Sequence, residues 1–272
     1  MRKMCGPRVG SLVRAGCVLL LLSAALRVYP DMGIVGGLTH ETTTTPGASY
    51  TGSITILNTG GSSLSARIYQ TDYLFHADGS TLYDDPGTDP RSNAAWITVS
   101  SPRVTVPGGR TSTVSYSVAV PGSNQLTGTY WSMIMVEGQS EAPAAREGEF
   151  RIQTVVRYAI QVVTTIADTG RHELVFQNPR LIRDAGSSVV AADLANTGDV
   201  ELHPSVWWEL YDEAGARLMR KEADAPRLFP ATSTRLKLDL GTLAKGSYRA
   251  LIVADAGGED LFGVSYSVEV SP

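Results

Sequence analysis

Four histidines, His40, His76, His172 and His203, are the side chains best suited to proton transfer or metal binding in this 272-residue sequence. None has a second histidine or a cysteine at ligand spacing, and each sits in a polar or turn-like stretch, so they read as surface residues. A Ser-His-Asp hydrolase would carry its serine on a strained Gly-x-Ser-x-Gly turn, and that motif is absent. Asp78, Asp84, Asp85 and Asp89 crowd one loop but match no EF-hand spacing; turn formation and solubility account for them. No phosphate-cradling glycine motif and no interleaved basic and aromatic surface occurs. The expectation is a non-enzyme with no metal, no cofactor and no small-molecule substrate.

The chemistry that remains is that of the backbone and of one guanidinium. In Gly148 to Ala167, alternate positions hold Phe150, Ile152, Thr154, Val156, Tyr158, Ile160, Val162, Thr164 and Ile166. A period of two means a β-strand with one face to a core. A strand beside a polar loop is a candidate sheet edge, and an edge carries unpaired N–H and C=O groups to which another chain can add a strand. The apolar row for such a partner is Phe150, Ile152, Val156, Tyr158 and Ile160. Arg157, on the opposite face, is the candidate anchor for a carboxylate at the partner's terminus. The competing reading is an ordinary last strand whose apolar face lines its own core.

The elements that must position this strand are β-strands throughout. Gly33 to Leu38 reads as a short first strand and His40 to Pro46 as a polar linker. Ser49 to Asn58 alternates and ends at Asn58-Thr59-Gly60; Val189 to Ala195 ends at Asn196-Thr197-Gly198. Each Asn-Thr-Gly is followed at equal distance by an apolar pair, Ile68-Tyr69 and Val206-Trp207. Pro107 to Thr113 then corresponds to Pro230 to Thr234, and Leu126 to Tyr130 to Leu243 to Tyr248. Landmarks in the same order indicate two homologous domains of roughly seven strands each, the pattern of an immunoglobulin-like sandwich. Leu218 to Pro226 is the one helix candidate and reads better as strand plus turn. Trp96, Trp131, Trp207 and Trp208 are expected in cores or at their rims, and Tyr130 and Tyr248 as corner anchors. Two polar loops, His76 to Ala95 and Gly138 to Glu149, break the symmetry, the second with little to bury.

Composition fits this picture: 43% hydrophobic and 18% charged residues describe a globular chain. Arg2, Lys3, Arg8 and Arg14 precede the apolar run Ala15 to Leu26, so residues 1–27 read as a signal peptide with an uncertain cleavage point. Membrane contact follows only if that segment stays uncleaved. Both cysteines, Cys5 and Cys17, lie within it, leaving the mature chain without a thiol. Loss of Arg2, Lys3, Arg8 and Arg14 with it makes the formal charge of −4 more negative by four, which argues against a nucleic-acid partner.

Ser101-Pro102-Arg103-Val104-Thr105-Val106-Pro107-Gly108-Gly109 is similar to a Pro-Arg-x-x-Leu-x-Pro-Gly segment, and Tyr130 to Glu137, a loop, and Phe150 to Val163 follow it. In these features the chain resembles the periplasmic pilus-assembly chaperones, the PapD-like family. The resemblance implies that Phe150 to Val163 completes an unfinished sandwich in an exported pilin-like subunit and that Arg157 meets the subunit's carboxylate. It implies a second basic anchor in the first strand, and Gly33 to Thr45 contains no arginine or lysine. The expected protein is all-β: a PapD-type immunoglobulin-like domain over 28–168, a second over 172–272, and a periplasmic chaperone-like function through strand donation. The alternative is a structural or adhesive surface protein, secreted or displayed, with the two domains as a spacer.

Overall fold

β-Branched and aromatic residues at every second position draw the chain into strands wherever alternation is sustained. The computed structural model describes residues 31–139, 155–184 and 187–270. The targeting segment 1–27, most of the loop 138–149, and Phe150 and Ile152 lie outside the described residues. The first sandwich contains β1 (Met32–Val35), β2 (Thr39–Thr44), β3 (Ser49–Asn58), β4 (Leu64–Thr71), β5 (Leu74–Phe75), β6 (Thr81–Leu82), β7 (Ile97–Val99), β8 (Arg103–Val106), β9 (Thr111–Ala119), β10 (Gly128–Gln139) and β11 (Arg157–Ile166). The second contains β12 (Leu174–Asp184), β13 (Ser187–Asn196), β14 (Ser205–Tyr211), β15 (Arg217–Ala223), β16 (Ser233–Asp239), β17 (Gly246–Asp255) and β18 (Leu261–Val270). One 3-10 turn, Ala94–Trp96, precedes β7.

Sheet β1-β3-β9-β7 faces sheet β2-β11-β10-β4-β8 across a core that includes Ile54, Ile56, Val118, Ile134, Ile160 and Val162. Sheet β12-β13-β16 faces β15-β14-β17-β18 across a second core around Trp208, Leu194, Leu210, Leu236 and Ile252. The two are the same immunoglobulin-like plan. The first has additions: the parallel strand β2, the short β7 and the small β5–β6 hairpin. Leu218 lies in strand β15.

The Asn-Thr-Gly repeat has one structural meaning in both sandwiches. Asn58 Nδ2 donates to the carbonyls of Ser62 and Val106 at 2.7 and 2.9 Å, and its Oδ1 accepts from Gly60 N at 2.9 Å. Asn196 Nδ2 donates to Val200 and Leu228 at 2.8 and 2.9 Å, and its Oδ1 accepts from Gly198 N at 2.9 Å. Each buried amide thus closes the turn after its strand and ties it to a later loop. The second shared landmark is a left-handed residue after Pro: Gly109 at φ 64° and Ala231 at φ 63°. Its N–H donates to Gly60 O at 3.0 Å in the first case and to Asn196 O at 2.9 Å in the second. Alanine in this region carries backbone strain that glycine avoids, so Ala231→Gly is expected to stabilise the chain by about 0.5–1 kcal/mol in urea unfolding. A loss of stability would show that the methyl packs usefully.

Four sequence expectations need correction. His40 to Pro46 is not a linker: Thr39–Thr44 is β2, which pairs in parallel with β11. Its threonines lack apolar alternation but have the branched side chains of a strand, which is the signal that could have revealed it. Gly138 and Gln139 belong to β10 and not to the following loop. His76 to Ala95 is not loop throughout: it contains β6, and the buried Asp72 carboxylate gathers its later half. That carboxylate accepts from the backbone N–H of Gly87, Thr88 and Asp89 at 3.1, 2.8 and 2.9 Å. Of the two corner tyrosines, Tyr248 donates its hydroxyl to Ala244 O at 2.9 Å. Tyr130 instead packs in a tilted pair with Trp96, centroids 4.7 Å apart.

Candidate functional site

The site is an interruption in a sheet edge, created where the first strand changes sheets. β1 pairs with β3, and the chain then turns at Gly36, whose φ of 103° is glycine territory. It re-enters as β2 on the opposite sheet, alongside β11 from Gln161↔Thr39 to Ile166↔Thr44. Gln161 N donates to Leu38 O at 2.7 Å. On its other side β11 is paired with β10 for its whole length, from Glu137↔Arg157 to Gly128↔Ile166. Arg157 to Ile160 therefore have a ladder on one side alone among the described residues. Gly138 N donates to Val156 O at 3.0 Å, extending that single ladder one residue further.

The predicted residues fall on this segment in graded fashion. Ile160 is fully buried in the sandwich's own core. Val156 and Tyr158 are half-buried at its margin, and Tyr158 donates its hydroxyl to Met32 O at 2.9 Å. Val155, on the opposite face, is 47% exposed. Phe150 and Ile152 are outside the described residues. Arg157 points away from the core, as the alternation requires, and its Nε donates to Glu137 Oε2 at 2.5 Å. The same oxygen accepts the Tyr69 hydroxyl at 3.2 Å. This bond and the charge of Glu137 raise the Arg157 pKa, so the guanidinium is cationic throughout the working range. Glu137 was not singled out by sequence. It sits directly across from Arg157 in the ladder, so a carboxylate from a partner would compete with one already present.

The other end of β11 is fixed from outside its sheet. Val163 packs with Trp131 and with Phe229 of the second sandwich, the two rings stacked at 4.7 Å between centroids. Trp131 Nε1 donates to Tyr73 O at 2.9 Å. Thr129 N donates to Asp199 O at 2.8 Å, and Arg91 forms an ion pair with the Asp199 carboxylate. The sequence signal for this joint was an apolar residue, Val163, on what should be the solvent face of the strand.

Solved structures similar to this chain include three chaperones. They are the class 5 fimbriae chaperone CfaA (13% identity, 89% of this chain, 100% of that chain, TM-score 0.47), the YadV chaperone (13% identity, 89% and 100%, TM-score 0.44) and the E. coli chaperone DraB (13% identity, 88% and 98%, TM-score 0.42). No family model and no curated protein matches the sequence. The fold is all-β.

One further charge cluster ties the joint to pH. Arg227 Nε lies 3.0 Å from Glu201 Oε1, and its Nη1 pairs with Glu41 on β2. Burial pushes the Glu201 carboxyl above its ordinary range; Arg227 draws it down and Glu41 pushes it up again. A raised native pKa means the folded chain holds a proton that the unfolded chain has released. Stability is therefore expected to fall as pH rises from the ordinary glutamate range through the raised value. Thermal unfolding at a series of pH values checks this, and Glu201→Gln should flatten that part of the curve. An unchanged curve would mean that Arg227 cancels the burial.

Proposed function

We propose that this chain is an exported, non-catalytic chaperone-like protein that binds a protein subunit by strand pairing along residues 150–160. The observation that carries this reading is the change in β11 at Gln161: two ladders beyond it, one before it. The N–H and C=O groups of Arg157 and Ala159, which point away from β10, supply the hydrogen bonds of strand addition. Side chains supply selectivity. Ile160 anchors the row in the chain's own core, while Val156 and Tyr158, half-buried, continue the alternation toward Ile152 and Phe150. A subunit with an unfilled apolar groove would cover that row, and no bond is made or broken. The targeting segment puts the work in the periplasm. Arg157 serves as a carboxylate anchor by exchanging Glu137 for the partner's carboxylate.

The test is periplasmic expression of the full chain with a C-terminal tag, followed by identification of co-purifying exported proteins. Val156→Asp and Ile152→Asp are expected to reduce recovery of the subunit at least tenfold, whereas Val155→Asp, on the opposite face, leaves it unchanged. Because Val156 touches the core, thermal unfolding is measured alongside. Recovery of no exported subunit, or losses that simply follow the melting temperature, would overturn the reading.

A second reading is favoured by the joint. Stacked Trp131 and Phe229, with Asp199 held by Thr129 and Arg91, fix the sandwiches as a spacer in a surface or adhesive protein would require. Labelling of intact cells separates the two, since exposure outside the cell supports the spacer and protection supports the chaperone.

A further inference from the structure

The second sandwich repeats the first but, among the described residues, lacks the strand that seals it. In the first, β2 lies beside β11, and the core-facing side chains it covers, Val162, Thr164 and Ile166, are buried to within 1% exposure. The equivalent strand in the second sandwich is β18, which among the described residues pairs with β17 alone. β12 does not cross over as the first strand of the other sandwich does; it stays with β13 from Leu174 to Asp184. Accordingly Phe262, Val264, Tyr266 and Val270, on the core face of β18, are only partly buried.

The seam between β12 and β18 holds a cavity of about 340 Å³. Leu181, Val190, Tyr266 and Val268 give it apolar walls, with Arg180 and Glu269 as its charges. The Tyr266 hydroxyl is buried there with no hydrogen-bond partner among the described residues. In the first sandwich a β2 side chain reaches across the sheet edge to a tyrosine of the facing sheet: His40 meets the Tyr116 hydroxyl of β9 at 2.8 Å.

β18 is also unguarded as edges go. Exposed edges normally carry charges, proline, bulges or short strands that deter pairing. β15, the other edge of the same sheet, carries Arg217, Arg220, Lys221 and Glu222. β12 has a bulge between Gln177 and Arg180 together with Pro179. β1 and β7 are four and three residues long. β18 has ten residues, one charge (Glu269), no proline, and Leu261 63% exposed.

We infer that β18 is a second strand-binding edge, which accepts an extended peptide segment running parallel to it as β2 runs parallel to β11. The recognised segment is rich in small hydroxyl-bearing residues, with one side chain that inserts into the β12–β18 seam and accepts the Tyr266 hydroxyl proton in a hydrogen bond. This edge is independent of the one on β11, and neither needs the other to be occupied.

The probe is a blocked peptide of the β2 sequence, residues 38–45 (LTHETTTT), added in millimolar amounts to the isotope-labelled full chain. Backbone NMR shifts are expected to concentrate in 261–270, and a nitroxide at the peptide's N-terminus should broaden signals near Leu261 rather than Val270. Ser267→Lys, which places a charge at an exposed edge position, should weaken binding at least tenfold. Tyr266→Phe, which removes only the hydroxyl, should weaken it about fivefold while leaving the fold intact. Shifts confined to 155–161, binding indifferent to Ser267→Lys, or occupation of β18 by a second copy in place of peptide would each overturn the proposal.

Discussion

Asn196→Ala is expected to lower the unfolding free energy by about 3–5 kcal/mol, and Asn58→Ala by about as much. Each asparagine is 1% exposed and makes three hydrogen bonds to backbone groups that have little access to water. Truncation leaves two carbonyls without their donor and one N–H without its acceptor. A buried group stranded in this way costs about 1–3 kcal/mol. Asn196→Asp keeps the shape but replaces the amide donor with a buried anion facing Val200 O and Leu228 O, so it should be worse still at neutral pH. Urea unfolding followed by tryptophan fluorescence measures both, because Trp96 belongs to the first sandwich and Trp208 to the second. Losses under about 1 kcal/mol would mean that water or a shifted turn replaces the amide.

The second large effect is expected at the joint. A Cβ on Gly128 would stand 2.0 Å from Asp199 O and 2.6 Å from its carbonyl carbon. That carbonyl cannot simply retreat, because it accepts the Thr129 N–H from the adjoining residue. Gly128→Ala should therefore force the sandwiches apart and unstack Trp131 from Phe229. Fluorescence of Trp131 is expected to shift to longer wavelength, with a fall in melting temperature and a broader scattering profile. Gly128 also has a φ of 68°, and left-handed backbone alone costs alanine about 1–2 kcal/mol. Gly109→Ala isolates that contribution, since Gly109 has φ 64° and nothing within 4 Å of an added Cβ. If the two variants behave alike, the close approach at Gly128 is not what holds the joint.

Much of the fold was legible because its causes are local. Alternation in Ser49–Asn58, Thr111–Ala119 and Arg157–Ile166 reports the pleat directly, and it marks Ile54, Val114 and Ile160 as core. Turn chemistry was legible as well: Asn58 and Asn196 need a specific side chain at a specific place, and the sequence repeats it. β2 was not legible. A run of threonines carries no two-sided pattern, and this strand is held by its backbone ladder to residues more than 120 positions later. The order in His76 to Ala95 was not legible, because the side chain that gathers it, Asp72, precedes it and reads like any other surface aspartate.

For the candidate site the division is sharper. The sequence by itself determined that the chain is built of two related β-sandwiches, that Val156, Tyr158 and Ile160 share one face of a strand, and that Arg157 takes the other. Only the tertiary structure decided which edges are free. Among the described residues, β11 is closed by β2 beyond Gln161 and open before it, and β18 has no counterpart of β2. The same holds for the contacts made across the chain, Arg157 to Glu137 and Arg91 to Asp199. The physical reason is that a strand's side-chain pattern is written in consecutive residues. Whether its N–H and C=O groups remain available depends on what lies beside it, and those neighbours come from distant parts of the chain.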